Sequence, residues 1–256
     1  MDRLDCLTPN SIALVKPLPC QAFLSSFTRL EVTAAGDDLH LIADGPHSGL
    51  WIQALCHDRW DEWLARLCTM FPLSSVTTLL ASAVDRRIIP SLLRQLPRLI
   101  TVAVHIRAGP LDEYEDAPTP SHELASSLYA ALGDIELPHL EVLALGARAA
   151  HPDKLSPADL ISMVAARSRR GTPLQRLDID LINFRPDIHA QRPMAPDVDL
   201  FRAAFAPAAE HVGALQLFKN ADVCHFELRE MWAMPEAERY WNIPEDSIPF
   251  YRLYWH

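Results

Sequence analysis

Hydrophobic and polar positions repeat along the chain. Residues 138–181 predict a strand, a helix and a second strand, and a phrase of the form L-x-x-L-x-L or L-x-x-L-x-I begins at Leu140 and again 34 residues later at Leu174. Alternation of apolar and polar residues with a period of two is typical of a strand that buries one face. The chain is therefore predicted to repeat a strand–helix unit.

The segment between these two phrases has the end signals of a helix. Ser156 is predicted to be the N-cap, with Pro157 at the first helical position and Asp159 completing a capping box. The arginines at 167–170 lie where the negative end of the helix dipole favours cations, and Gly171 can take the left-handed conformation that ends a helix. These arginines could also bind phosphate, but the helix dipole accounts for them without a ligand.

Further copies of the phrase begin at Phe27, Leu73, Leu99 and Val212. The predicted strands are 28–33, 75–79, 100–105, 141–145, 175–180 and 214–218. We expect them to lie side by side and to be parallel after the first, because helices connect them and a parallel neighbour needs a crossover. A β-hairpin at 29–43 is expected to close off one end of the array.

Four more helices are predicted from apolar residues at helical spacing. Their approximate positions are 60–71, 88–96 with a start near Pro90, 124–132 with an end at Gly133, and 200–205 with Asp197 as the cap. Together with the strands, they predict an α/β fold, an irregular leucine-rich-repeat-like solenoid with parallel strands and helical crossovers.

Two domains are predicted: an array over 1–220 with the hairpin as its N-terminal cap, and an aromatic capping tail over 221–256 that holds three of the six tryptophans. Successive phrases begin 46, 26, 41, 34 and 38 residues apart, whereas regular leucine-rich repeats run about 20–29 residues. The extra length falls in proline-rich or polar loops. A doubly wound sheet is the alternative architecture, but the glycine-rich turn that usually follows its first strand is absent.

Composition excludes several classes of function. The 256 residues carry a net charge of −10, which argues against nucleic acid or an anionic membrane as the main partner, since both need a basic surface. No apolar run approaches the roughly 18–20 residues of a membrane helix. The five cysteines include no C-x-x-C pair and no secretory signal follows Met1, so we expect reduced thiols and a cytoplasmic or nuclear location.

Candidate chemistry is confined to one short motif. Cys56 is followed by His57 and Asp58, and an adjacent His–Asp pair is used by metal-dependent phosphohydrolases. Such enzymes need further histidines, and His40 and His47 lie in the predicted hairpin and a loop instead. The favoured interpretation is a helix cap, so no enzyme activity, catalytic residue, metal or cofactor is predicted. A metal-dependent hydrolase using His57 and Asp58 is the alternative.

The L-x-x-L-x-L strands, the helix SPADLISMVAARSRRG and the P-x-L or P-L openings of the strands resemble the divergent leucine-rich repeats of fungal F-box-like proteins. The resemblance covers roughly residues 70–220, and no F-box motif is visible in 1–50. It implies a protein-binding module that selects substrates for a ubiquitin ligase, with a cullin-ligase adaptor as a second partner. A free-standing repeat scaffold that binds another protein is the other possibility.

Strand geometry predicts where such a partner would bind. The anchoring residues of each phrase point into the core, so the residues between them share the opposite face of the sheet. From residue 75 onward these are expected to be, in chain order, Ser75, Thr77, Thr101, Ala103, His105, Val142, Ala144, Arg176, Asp178, Asp180, Gln216 and Phe218. The candidate partner-binding residues are Thr101, His105, Arg176, Asp178, Asp180, Gln216 and Phe218.

Overall fold

A computed structural model describes residues 27–35, 38–45, 49–55, 73–83, 86–106, 121–147, 149, 151–182 and 196–219. The strands in these ranges are β1 (Arg29–Ala35), β2 (Asp38–Asp44), β3 (Gly49–Leu55), β4 (Thr78–Ala83), β5 (Thr101–Ile106), β6 (Val142–Ala147), β7 (Arg176–Leu181) and β8 (Ala214–Lys219). The α-helices there are α1 (Ile88–Leu93), α2 (Ser121–Asp134), α3 (Pro157–Arg169) and α4 (Val198–Phe205). Short 3-10 turns lie at Leu73–Ser75, Pro152–Leu155 and Ala206–Glu210.

The eight strands form one sheet in the order β3-β2-β1-β4-β5-β6-β7-β8. β1, β2 and β3 form an antiparallel meander, whereas β1 and β4 to β8 are mutually parallel. Five of the six predicted strands and the predicted hairpin are confirmed, whereas the strand predicted at 75–79 lies at Thr78–Ala83. The strand β3 was not predicted.

Strand order from β4 to β8 follows chain order without a reversal. Right-handed crossovers that always step in the same direction place their helices on the same face of a sheet. The helical residues Leu92, Leu128, Leu160 and Phe201 accordingly share one apolar cluster with side chains from a single face of the strands. A doubly wound sheet reverses its direction once, and this sheet does not do so among the described strands. The α/β prediction of mostly parallel strands connected by helices is confirmed.

The face under the helices, here called the first face, consists of rows of neighbouring apolar side chains. One row is Leu30, Leu79, Val102, Leu143, Leu177 and Leu215. The next row is Val32, Ala81, Val104, Leu145, Ile179 and Leu217. All are buried from β1 to β7, and the two leucines of β8 are partly buried. Each strand therefore contributes equivalent positions to one continuous core.

The β4 register differs from the predicted one by three residues. Leu79 and Ala81 lie on the first face, so the phrase begins at Val76 rather than at Leu73. Ser75 belongs to a 3-10 turn, and its hydroxyl donates to the carbonyl of Phe27 at 2.8 Å. The prediction that Ser75 and Thr77 lie on the open sheet face is therefore wrong. Leu73 and Val76 are both apolar and both buried, which made the two registers hard to distinguish.

A repeated hydrogen-bond pattern marks the entry to the parallel strands. One carbonyl of each unit accepts from two successive amides of the next unit. The amides of Thr77 and Thr78 donate to Thr28, those of Ile100 and Thr101 to Thr77, those of Glu141 and Val142 to Ile100, and those of Gln175 and Arg176 to Glu141, all at 2.8–3.1 Å. At β8 the amide of Gly213 donates to Leu174 instead, at 2.9 Å. The units are thus equivalent in backbone geometry despite their unequal lengths.

The C-terminal end of α3 is as predicted, whereas its N-terminal end is not. Gly171 has a φ of 78°, and the amides of Gly171 and Thr172 donate to Ser168 and Arg167, as in a Schellman motif. The capping box is wrong: Ser156 has a φ of 45° and makes no side-chain cap. Its hydroxyl donates to the carbonyl of His122 in α2, because the left-handed backbone turns the side chain toward the neighbouring helix. The predicted cap at Asp197 of α4 is confirmed, with bonds from two amides.

Arg167 attaches α3 to the preceding unit. Its guanidinium is 1% exposed and donates to the carbonyls of Leu132, Leu137 and Leu140 at 3.4, 3.0 and 3.5 Å. Leu132 lies in the last turn of α2, where the helix dipole presents partial negative charge. Burial, and secondarily Arg170, lowers the pKa of Arg167 from its ordinary value. The position fits the structural interpretation of this arginine rather than a phosphate ligand.

Candidate functional site

The candidate site is the second face of the sheet, opposite the helices. Its side chains form three rows across β1, β4, β5, β6, β7 and β8. The near row, at the start of the strands, is Arg29, Thr78, Thr101, Val142, Arg176 and Ala214. The middle row is Glu31, Leu80, Ala103, Ala144, Asp178 and Gln216. The far row is Thr33, Ser82, His105, Gly146, Asp180 and Phe218.

Exposure changes across these rows. The near row is exposed or half-buried at every strand. The middle and far rows are buried from β1 to β7 and open only at β8, where Gln216 is exposed and Phe218 half-buried. The described helices contribute most of their buried apolar side chains to the cluster of the first face, on the other side of the sheet. The accessible part of the second face is therefore the near row together with β8.

Two arginine–carboxylate pairs lie on the second face at corresponding positions. Arg29 Nε lies 2.8 Å from Glu31 Oε1, and Arg176 Nε lies 3.0 Å from Asp178 Oδ2. Both carboxylates are 1% exposed, whereas the arginine side chains are 44% and 41% exposed. Residues two apart on a strand share a face, so each arginine of the near row lies beside a buried acid of the middle row. The half-exposed arginines are oriented by these acids and still reach solvent.

The far row holds three chemically reactive side-chain types, on β4, β5 and β7. Ser82 of β4 pairs in register with His105 of β5, and Asp180 of β7 lies beyond Gly146 of β6. No hydrogen bond joins the Ser82 hydroxyl to His105, and both residues are at least nine-tenths buried. A nucleophile needs a base within hydrogen-bond reach and a substrate path, and this row provides neither among the described residues. We assign it no catalytic role.

All seven predicted partner-binding residues lie on the second face. Thr101 and Arg176 are in the near row, Asp178 and Gln216 in the middle row, and His105, Asp180 and Phe218 in the far row. The common face is thus correct. Accessibility divides the set, because His105, Asp178 and Asp180 are 6%, 1% and 3% exposed and have partners within the chain. That they bind a partner stays a prediction, in which Thr101, Arg176, Gln216 and Phe218 are the accessible members.

The predicted surface omits the part of the second face that β1 and β4 contribute. Arg29, Glu31 and Thr33 lie on a strand that was predicted only as part of a capping hairpin, and Leu80 and Ser82 lie beyond the predicted register of β4. One available signal was the pattern Arg-x-Glu at 29–31, which matches Arg-x-Asp at 176–178. The shared spacing indicates that the first strand contributes equivalent side chains to the second face.

Other predicted features cannot be placed. His57 and Asp58, the helix at 60–71 and the tail 221–256 lie outside the described residues. Within the described part of the chain, no group of three or more histidine, cysteine, aspartate or glutamate side chains could hold a metal ion. No helix in that part is long and apolar enough to cross a membrane.

Comparison with known proteins gives no match for this chain, whether among protein-family models, curated proteins or solved structures.

Proposed function

We propose that this chain is a protein–protein interaction module, built as an irregular leucine-rich-repeat-like solenoid. Support comes from the unbroken strand order and the register shared by six parallel strands. A backbone hydrogen-bond pattern also repeats at successive strand starts, where one carbonyl accepts hydrogen bonds from two consecutive amides of the next unit. In a solenoid each unit contacts its neighbours and can vary in length without disturbing the others. This property accounts for equivalent strand positions in units of unequal length.

One observation carries the functional part of the proposal. The near row and β8 form a continuous accessible strip across six parallel strands, on the face that the described helices leave open. Side chains from six successive units then meet a partner together, which is how repeat proteins build extended binding surfaces. The strip combines hydroxyl groups, two oriented guanidinium groups and a phenyl ring. Arginine and aromatic side chains are the types that protein interfaces favour.

The partner class follows from the sequence resemblance. Repeats similar to those of fungal F-box-like proteins imply substrate recognition for a ubiquitin ligase, either as an F-box-like adaptor or as a free-standing scaffold. The net charge of −10 disfavours nucleic acid and anionic membranes as alternatives. Another protein is therefore the proposed partner. If the chain is an F-box-like adaptor, a cullin-ligase adaptor should be captured together with that protein, and if the chain is a free-standing scaffold, it should not.

Partner capture from the cells that make the protein tests the function. The test variant carries Thr101→Arg and Gln216→Arg, which add bulk and charge to the strip without removing an ion pair. The matched control carries Ala130→Arg and Ser162→Arg, at exposed positions on α2 and α3. We expect the test variant to lose at least tenfold of the captured partner and the control to lose none, with equal melting temperatures. Equal capture by both variants would contradict the proposed surface.

A further inference from the structure

The helix-to-strand turns stack beside one another along one edge of the sheet, here called the turn edge. Its first turn is 94–100, the second 134–141, the third 169–175 and the fourth 209–213. Backbone bonds connect the neighbours: Glu141 donates to Ile100 at 2.9 Å, Gln175 to Glu141 at 2.8 Å, and Gly213 to Leu174 at 2.9 Å. The order of the four turns along this edge is therefore fixed by the sheet.

Charge alternates in sign from one turn to the next. All the charged residues concerned are exposed. The first turn carries Arg94 and Arg98, the second Asp134, Glu136 and Glu141, the third Arg169 and Arg170, and the fourth Glu210. The 3-10 turn Leu73–Ser75, at the corresponding place before β4, has no charged residue. The net charge of the four turns is therefore positive, negative, positive and negative in order along the turn edge.

Within the part of the chain that the structure describes, the charges of neighbouring turns do not pair directly. Among the described residues, no ion pair within 4.0 Å joins one of these turns to the next. Arg169 and Arg170 donate their Nε atoms to carbonyls of their own helix, at Ala165 and Ala166. Ile100, which is 39% exposed and one of two exposed large hydrophobic residues in the described chain, lies on the same edge. The edge therefore offers both solvated charges and an apolar contact.

We propose that the turn edge binds a second copy of this chain in a two-fold symmetric dimer. A two-fold axis perpendicular to the row of turns reverses their order on the partner, so the first turn faces the fourth and the second faces the third. The alternating pattern of four turns is complementary in this arrangement, since each positive turn then meets a negative one.

The dimer should be weak and sensitive to salt. Exposed ion pairs contribute little individually, and ions screen them. Ile100 adds an apolar contact at the edge of the first turn. The turn edge adjoins the near row, since Ile100, Glu141, Gln175 and Gly213 directly precede near-row residues. The two proposals are still tested separately, because the charge reversals described below leave the near row unchanged and dimerisation is measured without a partner.

Two charge reversals test the arrangement. The acidic-turn variant carries Glu136→Lys and Glu141→Lys, and the basic-turn variant carries Arg169→Glu and Arg170→Glu. Sedimentation velocity up to about 100 µM protein, a range that detects micromolar dissociation constants, should show dimers for the wild type at low salt. Each variant alone should be monomeric, because its second and third turns would repel each other across the axis. Mixing the two variants should restore a heterodimer, since the reversed turns then face opposite charges.

The control variant carries Arg86→Glu and Lys154→Glu, at strand-to-helix connections on the opposite edge of the sheet. It should dimerise like the wild type. A monomeric wild type at low salt would overturn the proposal, and so would dimers of either variant with wild-type affinity. Monomers in the mixture, with circular dichroism showing both chains folded, would likewise overturn it.

Discussion

The two faces of the sheet differ in composition, although the middle and far rows of the second face are as buried as the first face from β1 to β7. The first face consists of Leu, Val, Ile and Ala rows packed under the helices. The second face includes Glu31, Asp178 and Asp180, each at most 3% exposed. A buried carboxylate needs charged or hydrogen-bonded partners, whereas a buried leucine needs only close packing. The comparison shows that alternation along a strand assigns side chains to a face but does not say which face meets water.

The largest expected effect lies on the first face. Leu177→Ala removes a fully buried side chain from an apolar row, where it lies between Leu143 and Leu215. We expect a loss of about 2–5 kcal/mol in the free energy of unfolding, from lost burial and from the cavity left behind. Urea denaturation measures it. Leu215→Ala at the partly buried edge strand is the matched control and should cost less; equal losses would mean that β8 is as deeply packed as β7.

A polar group within the helix layer gives the next largest effect. Arg167→Met keeps much of the volume but withdraws the donors from three carbonyls. The expected destabilisation is about 2 kcal/mol, since hydrogen bonds to charged groups contribute about 1.5–3 kcal/mol. Arg169→Met, on the exposed side of the same helix, should change the urea midpoint very little. A small effect of the Arg167 substitution would show that water replaces its donors.

On the second face, Asp178→Asn tests whether the buried carboxylate stabilises the fold through its charge. The change preserves shape and removes the charge that faces Arg176 Nε at 3.0 Å. Because Arg176 is partly solvated, we expect a loss of about 1 kcal/mol rather than that of a fully buried pair. Thermal melts at neutral pH measure it, with Asp153→Asn at an exposed position as the control. A stabilising Asp178→Asn change would mean that the carboxylate is retained for a reason other than folding.

The sequence allowed the strands and the shared face to be predicted, because the phrases from Leu99 onward keep the same spacing between core residues. It did not fix the register of β4, since Leu73 and Val76 both satisfy the apolar pattern. It also did not reveal the burial of His105, Asp178 and Asp180. Polar residues at alternate positions normally face solvent, and their burial depends on contacts between distant parts of the chain that local periodicity does not encode.

The smallest expected effect concerns the accessible end of the second face. Gln216→Ala should change the free energy of unfolding by no more than about 0.5 kcal/mol, because the side chain is exposed. Its neighbour Leu217 packs on the core from the same strand, so Leu217→Ala should lower the free energy of unfolding by more. Denaturation of the two variants side by side compares the faces within one strand. A larger loss of unfolding free energy for Gln216→Ala than for Leu217→Ala would mean that Gln216, and not Leu217, faces the core on β8.

Methyl NMR tests the central claim, a sheet whose parallel strands follow chain order with one apolar face. In a deuterated sample with labelled Leu and Val methyl groups, neighbouring side chains of one row should give nuclear Overhauser cross-peaks, because directly opposed Cβ atoms lie about 5 Å apart. The expected series runs from Leu79 to Val102, Leu143, Leu177 and Leu215, with each residue contacting only its neighbours in that order. Direct cross-peaks between Leu79 and Leu177, or between Val102 and Leu215, would require a different strand order and would contradict the account.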